Sequence, residues 1–272
     1  MAIITIQRGT KSGGEALADC LEGHLRYPVL GAEVLEEAAA QLGVPPEDVG
    51  EKMEERPARF GRKPLITKLY VAAVRAALID HARAGKLIYH GLAGGLLLRR
   101  LPGVLRVRLI APMEFRVGSL MNSHGMDEVS AEAYIQEVDE ARAVWVKNLY
   151  GESILDSSLY DMVLNLENFS IQEACKVIHA AVSRPEFEMT PDRMKELEEF
   201  HVECQVRLAL LEDLGTQTLD LDATFRDGVA RITGEAPLLN TGEVGTRITE
   251  LVSSVSGVKE VRLAIKWFDP YP

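Results

Sequence analysis

Two patterns of apolar residues alternate along the first two thirds of the chain. Short apolar runs at Ile3-Ile4-Thr5-Ile6, Leu87-Ile88-Tyr89-His90, Val104 to Ile110 and Met162-Val163-Leu164-Asn165 read as strands. Tyr27-Pro28-Val29-Leu30 is a further short apolar piece. Between them, a helix opens at Ala16-Leu17-Ala18-Asp19-Cys20-Leu21, and apolar positions recur at helical spacing over residues 33–42, 65–84, 112–123, 130–149 and 171–182. Pro45-Pro46-Glu47-Asp48 begins another helix, with its prolines near the first turn. Residues 51–63 are charged and, with Pro57, Gly61 and Pro64, read as an exposed segment. Strands separated by helices predict a parallel sheet covered on both faces.

The pattern changes at residues 184–192, which hold Pro185, Pro191 and several charges. A helix over 193–214 follows. Leu219, Leu221, Ala223 and Phe225 then alternate with polar residues, Asp227-Gly228 signals a tight hairpin, and residues 229–234 return as a strand. A helix over 241–255 and a strand over 258–265 complete a small α+β unit. The expected division is a domain over 1–185, a linker and helix start over 186–198, and a second domain over 199–272. Trp267, Phe268 and Tyr271, with Pro270 and Pro272, form an aromatic tail that docks on its own domain or on a partner.

With 272 residues, 47% of them hydrophobic, the chain can bury a substantial core. The net charge of −11 argues against general nucleic-acid binding, which depends on neutralising phosphates. No signal peptide is read at the start, and residues 87–98 are too short and too interrupted to span a membrane. Cys20, Cys175 and Cys204 are scattered through apolar helical patterns, as expected of reduced thiols in a cytoplasmic protein. None of the six His residues is read as having metal-ligand spacing to another His or Cys, so no metal site is expected.

The candidate chemistry lies in the first twenty residues. The first strand runs into Gly9-Thr10-Lys11-Ser12-Gly13-Gly14, and a helix follows. A glycine turn feeding a helix N-terminus aims free N–H groups at an anion, so Arg8, Gly9, Lys11, Ser12, Gly13 and Gly14 are the candidate phosphate cradle. Gly9 and Gly14 keep the spacing of a P-loop, whose next two residues are Lys and Ser or Thr. Here they are Glu15 and Ala16. Lys11 and Arg8 are the cations available to compensate. Arg116 and Arg142 flank a polar segment over 122–129 that reads as a lid, and they are the candidates to neutralise phosphoryl charge. Their alternative role is pairing with Glu114, Asp139 or Glu140 on helix surfaces. Arg99, Arg100, Arg106 and Arg108 form a local basic cluster, suited to an anionic ligand or to guarding a strand edge.

Several stretches taken in order carry a resemblance. Ile4-Thr5-Ile6-Gln7-Arg8, Ser12-Gly13-Gly14, Glu33-Val34-Leu35-Glu36-Glu37-Ala38, Ile110-Ala111-Pro112 with Arg116, Asp139-Glu140-Ala141-Arg142-Ala143 and Tyr160-Asp161-Met162-Val163-Leu164-Asn165 resemble the cytidylate-kinase-like family of P-loop proteins. The resemblance implies a nucleoside-monophosphate-kinase-like parallel sheet, ATP with Mg²⁺ as the cofactor pair, and Lys11, Arg116 and Arg142 as catalytic residues if the protein is active. Residues 227–234 and 256–261 resemble a BON domain, which implies a protein or phospholipid partner. The departures fall at chemical positions: Glu15, Gly31 with Ala32, Leu92 and Ser119 stand where the family usually has basic residues, or an Asp-Arg pair. The expected function is therefore a nucleotide- or phosphate-binding or regulatory module with a degenerate P-loop and a BON interaction domain, a pseudokinase. The alternative is an active ATP-dependent phosphotransferase acting on a nucleotide or small phosphate acceptor.

Overall fold

The computed structural model describes residues 1–49, 65–237 and 241–269. A five-stranded parallel sheet organises the N-terminal part, built from β1 (Ile3–Arg8), β2 (Val29–Leu30), β3 (Leu87–Tyr89), β4 (Val104–Ile110) and β5 (Met162–Asn165). Its spatial order is β2-β3-β1-β4-β5, with β1 paired in register to β3 from Ile3 and to β4 along its whole length. The helices are α1 (Gly14–Leu25), α2 (Glu33–Leu42), α3 (Leu65–Ala82), the single turn α4 (Gly94–Leu97), α5 (Met113–His124), α6 (Glu128–Tyr150) and α7 (Ile171–Val182).

The pleat of β1 explains why two cores form. Side chains alternate between sheet faces, so Ile3 enters one core while Ile4 and Ile6 enter the other. On the first face Ile3 meets Leu87, Tyr89 and Val104, beneath α2 and α3. On the second, Ile4 and Ile6 meet Ile88, Leu105 and Val107, covered by Leu17 and Leu21 of α1 and Ala174, Cys175 and Ile178 of α7. Burial on both faces accounts for the continuous apolar runs of β1 and β3.

The C-terminal part begins at α8 (Pro191–Glu212), capped by the Thr190 hydroxyl with Pro at its start. β6 (Asp220–Arg226) and β7 (Val229–Pro237) form the antiparallel hairpin, and β8 (Glu260–Phe268) pairs parallel to β7 after α9 (Thr241–Ser253). Asp227 and Gly228 both take positive φ, 50° and 86°, the geometry a two-residue hairpin requires. α8 is shared between the two parts. Leu197, Phe200, Cys204 and Leu208 form one stripe in the N-terminal core, whereas Val202, Val206 and Leu210 form the opposite stripe in the C-terminal core. Two residues of offset turn a helix by about 200°, so one amphipathic pattern reads as two.

The arginine cluster is dispersed. Arg106 and Arg108 lie on β4, an interior strand, so they do not guard an edge. Arg99 pairs with Glu152 at 2.6 Å, Arg100 with Glu203, and Arg106 with Asp161 at 3.9 Å, while Arg108 lies over the Tyr160 ring. The charged segment over 51–63 lies outside the described residues, as do Pro270, Tyr271 and Pro272 of the aromatic tail; Trp267 and Phe268 belong to β8. Among the described residues, no helix is long and apolar enough to cross a membrane.

Candidate phosphate site

The chain leaves the centre of the sheet at Arg8, turns through Gly9–Gly13 and enters α1 at Gly14. β1 lies between β3 and β4, so this turn sits where crossovers diverge to either side, the position at which open α/β sheets bind ligands. Gly13 takes φ 81° and caps α1, a conformation that favours glycine. Lys11 also lies in the left-handed region, at φ 56°.

Within the turn, the Ser12 amide and hydroxyl both donate to the Gly9 carbonyl, at 3.2 and 2.9 Å. Thr10 is its hub. Its amide and hydroxyl donate to Asp139 Oδ1 at 2.9 and 2.8 Å. Arg116 Nε donates to the Thr10 carbonyl at 2.7 Å, and its Nη2 donates to Asp139 Oδ2. Arg142 donates to the Thr10 hydroxyl at 3.2 Å. A carboxylate from α6 thus takes a backbone donor of the kind that a P-loop offers to phosphate.

Arg8 folds back over the start of α1. A Cβ on Gly14 would lie 2.0 Å from Arg8 Cδ, so only glycine admits this path. Arg8 Nε donates to the His90 carbonyl at 3.2 Å. Burial and then the adjacent Arg142 guanidinium lower its pKa, a sign of two cations held close together.

Both arginines line a cavity of about 130 Å³ at the C-terminal ends of β1, β2 and β3, together with Gln7, Gly31, Leu35 and His90. Ligand pockets run to roughly 300–1,000 Å³, so in this conformation the cavity has room for a phosphate-sized group rather than a nucleotide. Burial first, then Arg8, holds His90 below its ordinary pKa and favours the neutral ring. His90 Nδ1 is buried without a hydrogen-bond partner among the described residues. Gly31 is small for a reason: a Cβ there would lie 2.6 Å from His90 Cε1. Gln7 is held by the Ala93 amide, which donates to its Oε1 at 3.1 Å.

The structure therefore brings together Arg8, Gly9, Ser12, Arg116 and Arg142 around Thr10 and Asp139. Arg116 is held by the loop and Asp139, and its side chain is only 11% exposed. Arg142 reaches both the loop and the cavity. The segment over 122–129 is a tight corner between α5 and α6, closed by Gly125 and by Asp127, whose side chain caps α6. Asp161 and Asn165 serve local geometry: Asp161 accepts the Arg106 amide at 2.8 Å, and Asn165 accepts the Glu167 amide at 3.1 Å. Nothing in the spacing of Thr10, Gln7 and His90 marks them in the sequence. Asp139 reads there as a helix-surface partner of arginine; its reach to Thr10 appears only in the fold.

Residues 3–168 match the cytidylate kinase-like family, and the chain belongs to it. A cytidylate kinase of Methanopyrus kandleri is 27% identical over 195 residues, covering 66% of this chain and 92% of that protein. A cytidylate kinase of Methanoculleus marisnigri is 34% identical over 79 residues, covering 29% of this chain and 44% of that protein. Among solved structures, an uncharacterized protein from Eubacterium ventriosum has a similar fold, with a TM-score of 0.54 and 22% identity over 67% of this chain and 99% of its own.

Proposed function

We propose that this protein is a phosphate- or nucleotide-binding regulatory member of its family, with a degenerate P-loop and a C-terminal interaction domain of the BON type. The contact between Asp139 and Thr10 carries the reading. It supplies a carboxylate to the glycine loop from within the chain. Glu15 follows the loop in place of a lysine, and a unit charge of reversed sign about 4 Å from a phosphate changes the interaction by several kcal/mol at an effective dielectric near 20. Ala16 has no hydroxyl to ligate Mg²⁺, and the Ser12 hydroxyl is directed to the Gly9 carbonyl. The residues present do not fit the Mg²⁺–ATP arrangement of a P-loop. The ligand we favour is instead an anion placed between Arg8 and Arg142, with His90 Nδ1 and the side-chain NH2 of Gln7 as polar partners.

Active phosphotransfer is the second reading, supported by the two arginines that remain on the cavity wall and by Lys11 within the loop. For the C-terminal domain, the order helix, hairpin, helix, strand supports the BON reading. An open groove between α9 and β8, lined by Thr246, Thr249, Leu263 and Trp267, is where a protein or phospholipid partner would bind.

Thermal unfolding in the presence of inorganic phosphate, nucleoside mono-, di- and triphosphates, each with and without Mg²⁺, tests this. Ligand at 100 times Kd should stabilise by about 2.7 kcal/mol. We expect stabilisation by a phosphate-bearing ligand, independent of Mg²⁺, with no phosphoryl transfer. Stabilisation that requires Mg²⁺, accompanied by turnover and lost in Lys11→Ala, would establish the second reading. No response to any phosphate compound would refute both.

A further inference from the structure

On the face of the sheet opposite α2 and α3, α1 packs against α7. Each helix carries the same four-residue spacing at this contact: Cys20 and His24 on α1, Cys175 and His179 on α7. A Cys-x-x-x-His step on a helix places both ligand atoms on one side, one turn apart. Read linearly, no His has metal-ligand spacing to another His or Cys; helical periodicity and the pairing of two helices bring these four together.

We propose that Cys20, His24, Cys175 and His179 form a zinc site that clamps α1 to α7. One ligand atom from each of Cys20, His24 and Cys175 already lies within 4.8 Å of the other two. Zinc bonds of about 2.3 Å to sulfur and 2.0 Å to nitrogen put tetrahedral ligand atoms roughly 3.3–3.8 Å apart, so small side-chain rotations close the cage. The His24 and His179 ring centroids are 6.0 Å apart, which makes His179 the candidate for the fourth position. Two thiolates and two imidazoles in tetrahedral array favour Zn²⁺ over hard cations such as Mg²⁺ or Ca²⁺. Cys175 is buried, Cys20 half-buried, and both histidines are exposed, so the metal enters from solvent. The thiols bind as thiolates, so metal binding releases protons and affinity should rise with pH. The clamp would brace α1, whose N-terminus closes the glycine loop.

The test is titration of the full-length, reduced, metal-free protein with Co²⁺, followed by displacement with Zn²⁺. We expect one equivalent to bind, with thiolate-to-cobalt charge transfer and the visible bands of tetrahedral cobalt. Cys20→Ser and His24→Ala should each weaken binding at least tenfold, about 1.4 kcal/mol, and His179→Ala should change the visible bands. Cys204→Ser, on α8, should leave the titration unchanged. The two histidine variants alter exposed side chains, and circular dichroism would verify that they fold. Absence of the charge-transfer band in the reduced wild type, whether or not an oxidised sample contains a Cys20–Cys175 disulfide, would overturn the proposal. Equal weakening by Cys204→Ser would overturn it as well.

Discussion

Asp139 accepts the Thr10 amide proton at 2.9 Å across a sequence separation of 129 residues. The same carboxylate pairs with Arg116, whose Nε returns to the Thr10 carbonyl at 2.7 Å. The glycine loop is thereby tied to α5 and α6 by its own residues. An anion arriving at this loop competes with a tethered carboxylate that carries no translational entropy cost.

Asp139→Ala should open that competition. The Thr10 amide loses its acceptor and Arg116 its anionic partner, so stability should fall by about 1–3 kcal/mol. Affinity for inorganic phosphate or pyrophosphate should rise, as measured by calorimetry under conditions where the variant remains folded. Lower or unchanged affinity would show that the carboxylate does not occupy an anion position.

Gly31→Ala should close the cavity between Arg8 and Arg142. The added Cβ meets His90 Cε1 at 2.6 Å, and the ring must move into the space it now borders. Overpacking of this kind costs about 1–3 kcal/mol. Loss of phosphate-dependent stabilisation, with the fold retained by circular dichroism, is the expected result. Unchanged stabilisation would place the ligand elsewhere.

His90 links the same cavity to pH. Its folded pKa lies below the ordinary 6.5, chiefly through burial. The unfolded state then binds more protons than the native state between the two values, so stability rises with pH through that interval. The contribution is complete above about 6.5 and is lost as pH falls toward the folded pKa. Carboxylates and His201 also titrate on acidification, so the measurement is the difference between wild type and His90→Asn in urea unfolding from pH 7.5 to 5. The wild type should lose more stability than the variant. Parallel pH profiles would contradict a neutral, buried His90.

Glu203 is expected to hold the C-terminal domain to the rest of the chain. It is only 2% exposed, pairs with Arg100 and with Arg207 at 3.2 Å, and accepts the Phe225 amide at 3.3 Å. Both arginines retain solvent contact, which lowers the cost of stranding them. Glu203→Ala should therefore destabilise by about 2–3 kcal/mol in denaturant unfolding. A change below about 0.5 kcal/mol, typical of a surface position, would contradict this assignment.

Much of the architecture was legible because it rests on local pattern. The runs at Ile3 and Leu87 are strands because interior strands of a parallel sheet are apolar on both faces, while Val104 to Ile110 alternates with Arg106 and Arg108 and Met162 opens the edge strand. Asp227-Gly228 is a hairpin because both residues tolerate positive φ. The glycine loop and its missing Lys and Ser or Thr could be read from spacing alone. The double role of α8 was harder to see, since its two apolar stripes belong to different cores.

By itself, then, the sequence determined which segments form strands and helices, that a glycine turn enters α1, and that Glu15 and Ala16 follow it. These depend on short-range periodicity, backbone conformational freedom and side-chain chemistry at adjacent positions. Only the tertiary structure decided that Asp139 meets Thr10, that Arg8 and Arg142 share a cavity with His90, and that Cys20 and His24 face Cys175 and His179. Those encounters join residues 52 to 159 positions apart, and only the packing of helices on the two faces of the sheet brings them together.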